Sequence, residues 1–408
     1  MARCRFCQTP IDQLLVDLGE TPLANSLVEA DQLDRPDPRY PLRVGVCSQC
    51  LLVQTLYDKT PEAIFHDRYV YYSSFSESWL AHAKGYVEQM IPALGLGAEH
   101  RVVEIASNDG YLLRHFVAAG IPALGVEPSE GVASAAQALG VESRRAFFGR
   151  ALAEEMVQAG EQADLLIANN VLAHVPDLND FIAGLKRLLK PGGLLTLEFP
   201  HLLQLMQQSQ FDTIYHEHFS YFSLLALQRI FPHHGLQIER VERLPTHGGS
   251  LRIHARHLDE VGQVDKSVPQ LIHMERHYGL DQLACYRAFS SQVVETIQAL
   301  QQFLQQAQQQ GKRVVGYGAA AKGNTLLNCC GVTAEQIAYV VDRNPQKQGR
   351  WMPGSRIPIR QPETIFQTKP DYLLILPWNF KQEIMQQMAG ISHWGGRFVV
   401  PIPTTTLC

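Results

Sequence analysis

From about Arg101 onward, short apolar runs alternate with stretches in which hydrophobic residues recur every three or four positions. The runs "RVVEIAS", "PALGVEP", "ADLLIANN" and "GGLLTLEFP" have the length of buried strands, and the gaps between them leave room for helices. Strands and helices in that order imply right-handed crossovers and a largely parallel sheet. A doubly wound unit is therefore expected to run to about residue 260, with "GLQIERVERLP" and "SLRIHARHL" as later strands. Beyond it, Leu283, Tyr286, Phe289, Val293, Ile297, Leu300 and Leu304 recur at helical spacing, while glutamine crowds the other face as far as "QQAQQQGKR". The sustained stripe predicts a long solvated helix rather than a low-complexity linker. After Gly311 a second α/β pattern starts with "KRVVGYGAAAKGNTLLN" and continues through "IAYVVDRNP" and "DYLLILPWN".

The first 60 or so residues differ, offering only short apolar pieces such as "QLLVDLG" and "CLLVQTLY", too little for an independent core. A metal staple would compensate. Cys4, Cys7, Cys47 and Cys50 form two CxxC pairs, 39 residues apart, while the other four of the eight cysteines are scattered. Four thiolates satisfy tetrahedral zinc and leave no open position for water or substrate, so the expected role is structural. A redox CxxC would open a helix in a thioredoxin-like context, and neither pair does. The expected divisions are 1–65 for a zinc-binding domain, 66–265 for the middle α/β domain and 266–408 for the last, with 266–310 as its helical lead-in.

Length and charge add exclusions. At 408 residues two or three domains are expected, by the soft prior of roughly 150 residues each. A net charge of -5 supplies no general attraction for nucleic acid or an anionic membrane. The start "MARCRFCQTP" lacks the apolar segment of a signal peptide, and no run approaches the ~18 apolar residues of a membrane span. A soluble cytoplasmic protein is expected, monomeric or weakly self-associating, with a small-molecule partner.

In "VVEIASNDGYLL" the first strand of the middle domain meets a turn where a nucleotide cofactor would lie. Ala106 and Asn108 stand where glycines are usual, and alanine is small while asparagine tolerates positive φ. Glu127, followed by Pro128, ends the next strand and suits ribose hydroxyls. The lack of a strict GxGxxG, and Glu104 before the turn to face a cationic amino group, favour S-adenosylmethionine over a nicotinamide cofactor. "NNVLAHVPD" then brings Asn169, Asn170 and His174 to the same edge, and "YHEHFSYFS" supplies two histidines around a glutamate.

Taken in order, the cysteine-rich start, "EIASNDGYLL", "NNVLAHVPD", "YHEHFSYFS", "HGGSLR" and "GYGAAAKGNTLLN" resemble the three-domain sugar C-methyltransferases, including the C-3'-methyltransferases of TDP-deoxysugar biosynthesis. The resemblance covers essentially the whole chain. It implies a doubly wound, Rossmann-like S-adenosylmethionine domain between a small zinc domain and a second Rossmann-like domain. It also implies methyl transfer to a ring carbon of a nucleotide-linked 4-keto-6-deoxysugar. The cofactor site maps to Glu104, Ser107, Asn108, Gly110, Glu127 and Asn169, and the catalytic cluster to Tyr215, Glu217 and His218, with Tyr69 and His174 nearby.

Carbon, unlike oxygen or nitrogen, needs a base before it can accept a methyl, and an imidazole suits an α-proton made acidic by a ketone. His218 is the candidate base, with Glu217 orienting or sharing the proton and Tyr215 and His174 donating to the enolate oxygen. Two alternatives remain for the segment: a metal bound by His216 and His218, with only two local ligands, or a turn with no chemistry. His216 has no assigned task. Lys322 and Asn324 are expected at a diphosphate, and Asn170 and Arg252 at sugar or phosphate. Competing functions are a methyltransferase on another small molecule, nucleic acid or protein, a nicotinamide-dependent oxidoreductase with Asp342 as its acidic residue, and a non-catalytic nucleotide-sugar scaffold.

Overall fold

A computed structural model describes residues 2–57 and 72–408. Near the amino terminus, β1 (Gln13–Thr21), β2 (Tyr40–Val46) and β3 (Val53–Thr55) form an antiparallel meander. The two CxxC knuckles sit at one end of this meander, before β1 and between β2 and β3. The middle sheet contains β4 (Val102–Ile105), β5 (Ala123–Val126), β6 (Glu142–Arg144), β7 (Ala163–Asn169) and β8 (Leu189–Pro200). A short strand follows, β9 (Ser220–Tyr221), which leaves the middle sheet and pairs antiparallel with β3, Tyr221 opposite Val53. Then β10 (Leu236–Leu244) and β11 (Ser250–His257) return to the middle sheet, whose order is β10-β11-β8-β7-β4-β5-β6.

Within that sheet β8-β7-β4-β5-β6 are parallel; β4, β5, β7 and the second half of β8 are buried on both faces and accordingly near-continuously apolar, whereas the edge strand β6, Glu142–Arg144, is partly exposed. β11 runs antiparallel to β8 and β10 antiparallel to β11. An antiparallel strand inserted at this edge separates the topology from the all-parallel dinucleotide fold. The last sheet has β12 (Val314–Tyr317), β13 (Val340–Val341), β14 (Ile359–Arg360), β15 (Tyr372–Ile375), β16 (Arg397–Val400) and β17 (Thr406–Leu407), ordered β14-β13-β12-β15-β16-β17. Its first five strands are parallel and β17 is antiparallel.

The helix Leu283–Gln309 buries Tyr286, Phe289, Val293, Leu300 and Leu304 along the stripe read from the sequence. That stripe joins Leu15 and Val44 of the first sheet to Val315 and Leu373 of the last in one apolar core. A second core unites Cys4, Cys47 and Leu52 with Val103, Leu166 and Phe181 of the middle unit. The amino-terminal sheet thus shares its hydrophobic burial with both α/β units instead of burying enough by itself. The helix Ser267–Tyr278, expected as a lead-in to the last domain, puts Val268 and Leu271 into the middle unit's core. Its buried Glu275 accepts from the Leu224 and Leu225 amides at 2.7 and 2.8 Å, capping another middle-domain helix. Among the described residues no helix is long and apolar enough to cross a membrane.

Candidate active site

At the carboxyl end of β4 the chain turns through Ala106 (φ 58°), Asn108 (φ 49°) and Gly110 (φ 74°). The left-handed region is unusual for alanine and needs outside support. Support comes from β5, where the Val126 carbonyl accepts from the Ala106 amide at 2.8 Å. Glu127 accepts from the Asn108 and Ser129 amides at 3.1 and 2.9 Å, fixing its carboxylate at the turn. Gly125 is required here because a β-carbon would lie 2.3 Å from the Ser107 Oγ.

A cavity of about 520 Å³ opens at this edge, lined by Asn108, Glu127, Pro128, Asn169, Asn170 and His174, among others. Glu104, Ser107 and Gly110 stand behind the wall rather than on it. Burial holds the Glu104 carboxyl well above its ordinary range. Both its oxygens lack a hydrogen-bond partner of normal geometry among the described residues, with the Tyr111 hydroxyl alongside. The Ser107 Oγ and Asn169 Oδ1 are likewise unsatisfied there. Buried acceptors in this state cost free energy, and an amino or hydroxyl group of a bound nucleotide would relieve it.

The same cavity reaches Tyr215, Glu217 and His218. His218 donates from Nδ1 to the Thr213 carbonyl at 2.8 Å, which leaves Nε2 to accept from the Tyr215 hydroxyl, also at 2.8 Å. Burial, and the neighbouring His174, hold His218 well below its ordinary pKa, so it is neutral near pH 7. His174 lies edge-on to it at 4.7 Å between ring centroids and donates from Nδ1 to the Glu217 carbonyl at 2.8 Å. Burial lowers His174 to about 4 and raises Glu217 to about 7. From the last domain Lys322 enters the cavity, its Nζ donating to Asn379 Oδ1 at 2.8 Å and standing 4.8 Å over the Trp378 ring.

Comparison with known proteins places this arrangement. A C-methyltransferase C-terminal domain model matches residues 245–403, a zinc binding domain model 4–65 and a methyltransferase domain model 79–241. The C-methyltransferase NovU of Streptomyces niveus is 36% identical over 401 residues, covering 98% of this chain and 95% of NovU. The chain belongs to the three-domain S-adenosylmethionine-dependent C-methyltransferases. A ubiquinone biosynthesis O-methyltransferase of Rhodopseudomonas palustris is 30% identical over 97 residues, 24% of this chain and 38% of its own. The solved magnesium protoporphyrin IX methyltransferase of Synechocystis, with bound cofactor, is 19% identical, covering 48% of this chain and 88% of its own at a TM-score of 0.33.

In this C-methyltransferase the four knuckle cysteines bring their sulfurs within 4.8 Å of one another, with close approaches of 3.4, 3.4 and 3.7 Å. Zn–S bonds of about 2.3 Å place tetrahedral sulfurs about 3.8 Å apart, so the set fits structural zinc. Two expected ligand contacts are not brought to the cavity. Arg252 is buried on β11, 2.8 Å from Glu198 and 4.5 Å over the Tyr86 ring, and these interactions spend its guanidinium inside the middle domain. Asn324 is buried in the helix Ala321–Cys329, where its Oδ1 accepts from Asn328 at 3.3 Å. Tyr69 lies outside the described residues.

Sequence reasoning missed several groups at the methyltransferase cavity. Asn25, from the loop after β1, donates from Nδ2 to Glu217 Oε2 at 2.7 Å. His247 (φ 54°) lies 3.3 Å from Asn170 Nδ2, and Lys347 donates to the Ala319 carbonyl at 2.9 Å beside Lys322. The quoted "HGGSLR" carried the only hint of His247: Gly248 (φ 90°) is needed because a β-carbon there would meet the Trp378 ring at 2.4 Å.

Proposed function

We propose that this enzyme methylates the carbon α to the ketone of a nucleotide-linked 4-keto-6-deoxysugar, with TDP as the nucleotide. The observation that carries the proposal is the Tyr215–His218 pair, with its neutral imidazole, in the cavity that also holds the cofactor edge and Lys322. A saturated carbon has no lone pair, so a base must act before the methyl is accepted. His218 takes that role through Nε2, its orientation fixed by Thr213. As the α-proton moves to His218, the Tyr215 hydroxyl is released to donate to the enolate oxygen, aided by His174. Asn108, Glu127 and Asn169, with the buried Glu104 behind them, would hold S-adenosylmethionine, which would supply the electrophilic methyl.

The diphosphate falls to the cations of the last domain, Lys322 and Lys347. An anionic substrate in that position also raises the proton affinity of His218 above its value in the empty cavity. A nicotinamide cofactor is disfavoured at this turn. Asp342, which would hold its ribose, instead accepts from the Ala319 amide at 2.8 Å and pairs with Lys347 at 3.5 Å.

The test is a panel of TDP-4-keto-6-deoxysugars incubated with labelled cofactor, with products read by mass spectrometry. One added methyl on ring carbon is expected for at least one sugar. Thermal stabilisation by S-adenosylhomocysteine and separately by TDP is expected beside it. Stabilisation by NAD alone, with no labelled sugar, would overturn the reading.

A further inference from the structure

We propose that the amino-terminal zinc module is a positioning element of the active site, with Asn25 holding the Glu217 carboxylate and His216 anchoring the same segment against the module. The inference rests on the reading of "YHEHFSYFS" as the catalytic segment. It goes beyond that reading by giving the module, and His216, a task in the reaction.

Four contacts along the segment support it. Asn25 Nδ2 donates to Glu217 Oε2 at 2.7 Å from a position 192 residues away in sequence. The His216 ring lies edge-on to Tyr40 of β2 and to Tyr57, at 6.0 and 6.5 Å between centroids. Arg5, inside the first CxxC knuckle, donates to the Phe219 carbonyl at 3.0 Å and to the Thr55 carbonyl at 2.9 Å, its guanidinium 5.3 Å over the Phe219 ring. β9 completes the module's sheet against β3. His218 is instead held from the core side by Thr213 and flanked by His174. The module therefore holds the backbone that follows His218 and the side chains of the two residues before it.

A structural zinc explains why such a small sheet can do this. Without a core of its own, the module needs the four cysteines to keep Arg5 and the strand edge rigid. Rigid neighbours are what a proton-transfer geometry requires, since small displacements of a reacting group cost large factors in rate.

Asn25 sits on an exposed turn, so its replacement leaves the fold intact. The titratable groups that line the same cavity as Glu217 are Tyr215, His218, His174, Tyr111, Lys322, Glu127, Asp177, Asp180, His247 and Lys347. Losing the Asn25 donor removes a contact that favours the carboxylate, so the Glu217 midpoint rises.

The experiment uses the zinc-loaded protein labelled with carbon-13 at the glutamate carboxyls, the Glu217 signal being assigned by its loss in Glu217→Gln. Asn25→Ala is expected to move that midpoint up by about half to one pH unit, and Asn25→Asp further, because a like charge then faces it. Zinc content and S-adenosylhomocysteine affinity should stay at wild-type values. Turnover should fall roughly tenfold in kcat, with KM for the cofactor unchanged. An unchanged midpoint in both variants would overturn the positioning role, whatever the substrate. If instead the midpoint moves but no ketosugar is methylated, the module's role stands and the substrate assignment fails.

Discussion

The cofactor edge and the catalytic segment bury the same kinds of group in different company. At the edge, Glu127 takes both of its amide donors, Asn108 and Ser129, from within 19 residues. In the catalytic segment, Glu217 takes its donor from 192 residues upstream, and nearby Asp212 accepts from Trp378, 166 residues downstream, at 2.7 Å. The first site is finished when one sheet folds; the second exists only after three units have docked. On the proposed roles, cofactor binding and proton abstraction should therefore be separable by mutation.

The largest effect is expected from His218→Ala. A positioned general base contributes on the order of 10² to 10⁴ in rate. The variant should lose about 10³-fold or more in both methyl transfer and deuterium exchange α to the ketone, while S-adenosylhomocysteine binds as in the wild type. Undiminished exchange would remove His218 as the base. Cys47→Ser comes next: zinc falls from one equivalent toward none, and turnover drops about 10²-fold as the grip on Phe219 and Glu217 loosens. S-Adenosylhomocysteine affinity should change by less than about threefold, under ~1 kcal/mol. If affinity collapses together with turnover, the two regions are one cooperative unit.

The same division sets what could be read from the sequence. Strand runs, the Leu283–Gln309 stripe and the four cysteines are local or periodic signals, and the structure contains each. The positive φ of Asn108 was legible because an amide side chain stands where glycine is usual, whereas at Ala106 the sequence showed only that the residue is small. Arg252 was misplaced because its fate depends on partners on neighbouring strands, Glu198 on β8 and Glu242 on β10, which a linear pattern does not pair. Asn25 carried no signal at all, since an asparagine in a polar turn reads as a turn residue until Glu217 is brought beside it. Likewise the Ser267–Tyr278 helix has a stripe that any core would accept, and only docking decided which.

Glu127→Ala addresses the cofactor edge from the other side. Removing a carboxylate that holds two amides, and that the proposed reading gives to the ribose, should weaken S-adenosylhomocysteine about ten- to hundredfold, within the range of a hydrogen bond to a charged group. Exchange catalysed by His218 at saturating cofactor should be retained, because nothing in the Tyr215–His218–Thr213 chain depends on Glu127. Equal loss of exchange would show that the edge also shapes the catalytic segment.

The smallest effect expected is a pH dependence. Burial raises Glu217 to about 7, whereas His218 is pushed well below its ordinary value, so in the free enzyme the two titrate in separate windows. If the Glu217 carboxylate is the working form, kcat/KM falls about fivefold for the first pH unit below 7 and about tenfold per unit beyond that, and His218 adds a second fall only at still lower pH. Glu217→Gln should be slower at pH 8 but flat across that first window. Stability moves the other way. Between the ordinary carboxylate range and about 7 the folded protein keeps a proton on Glu217 that the unfolded chain has released, so the wild type loses stability as pH rises through this interval. Glutamine carries no charge to bury, and the variant should therefore be the more stable protein above pH 7, with the margin closing toward pH 4. A limb near 7 that persists in Glu217→Gln would belong to another group, and the contrast between an isolated edge and a docked segment would lose its titratable marker.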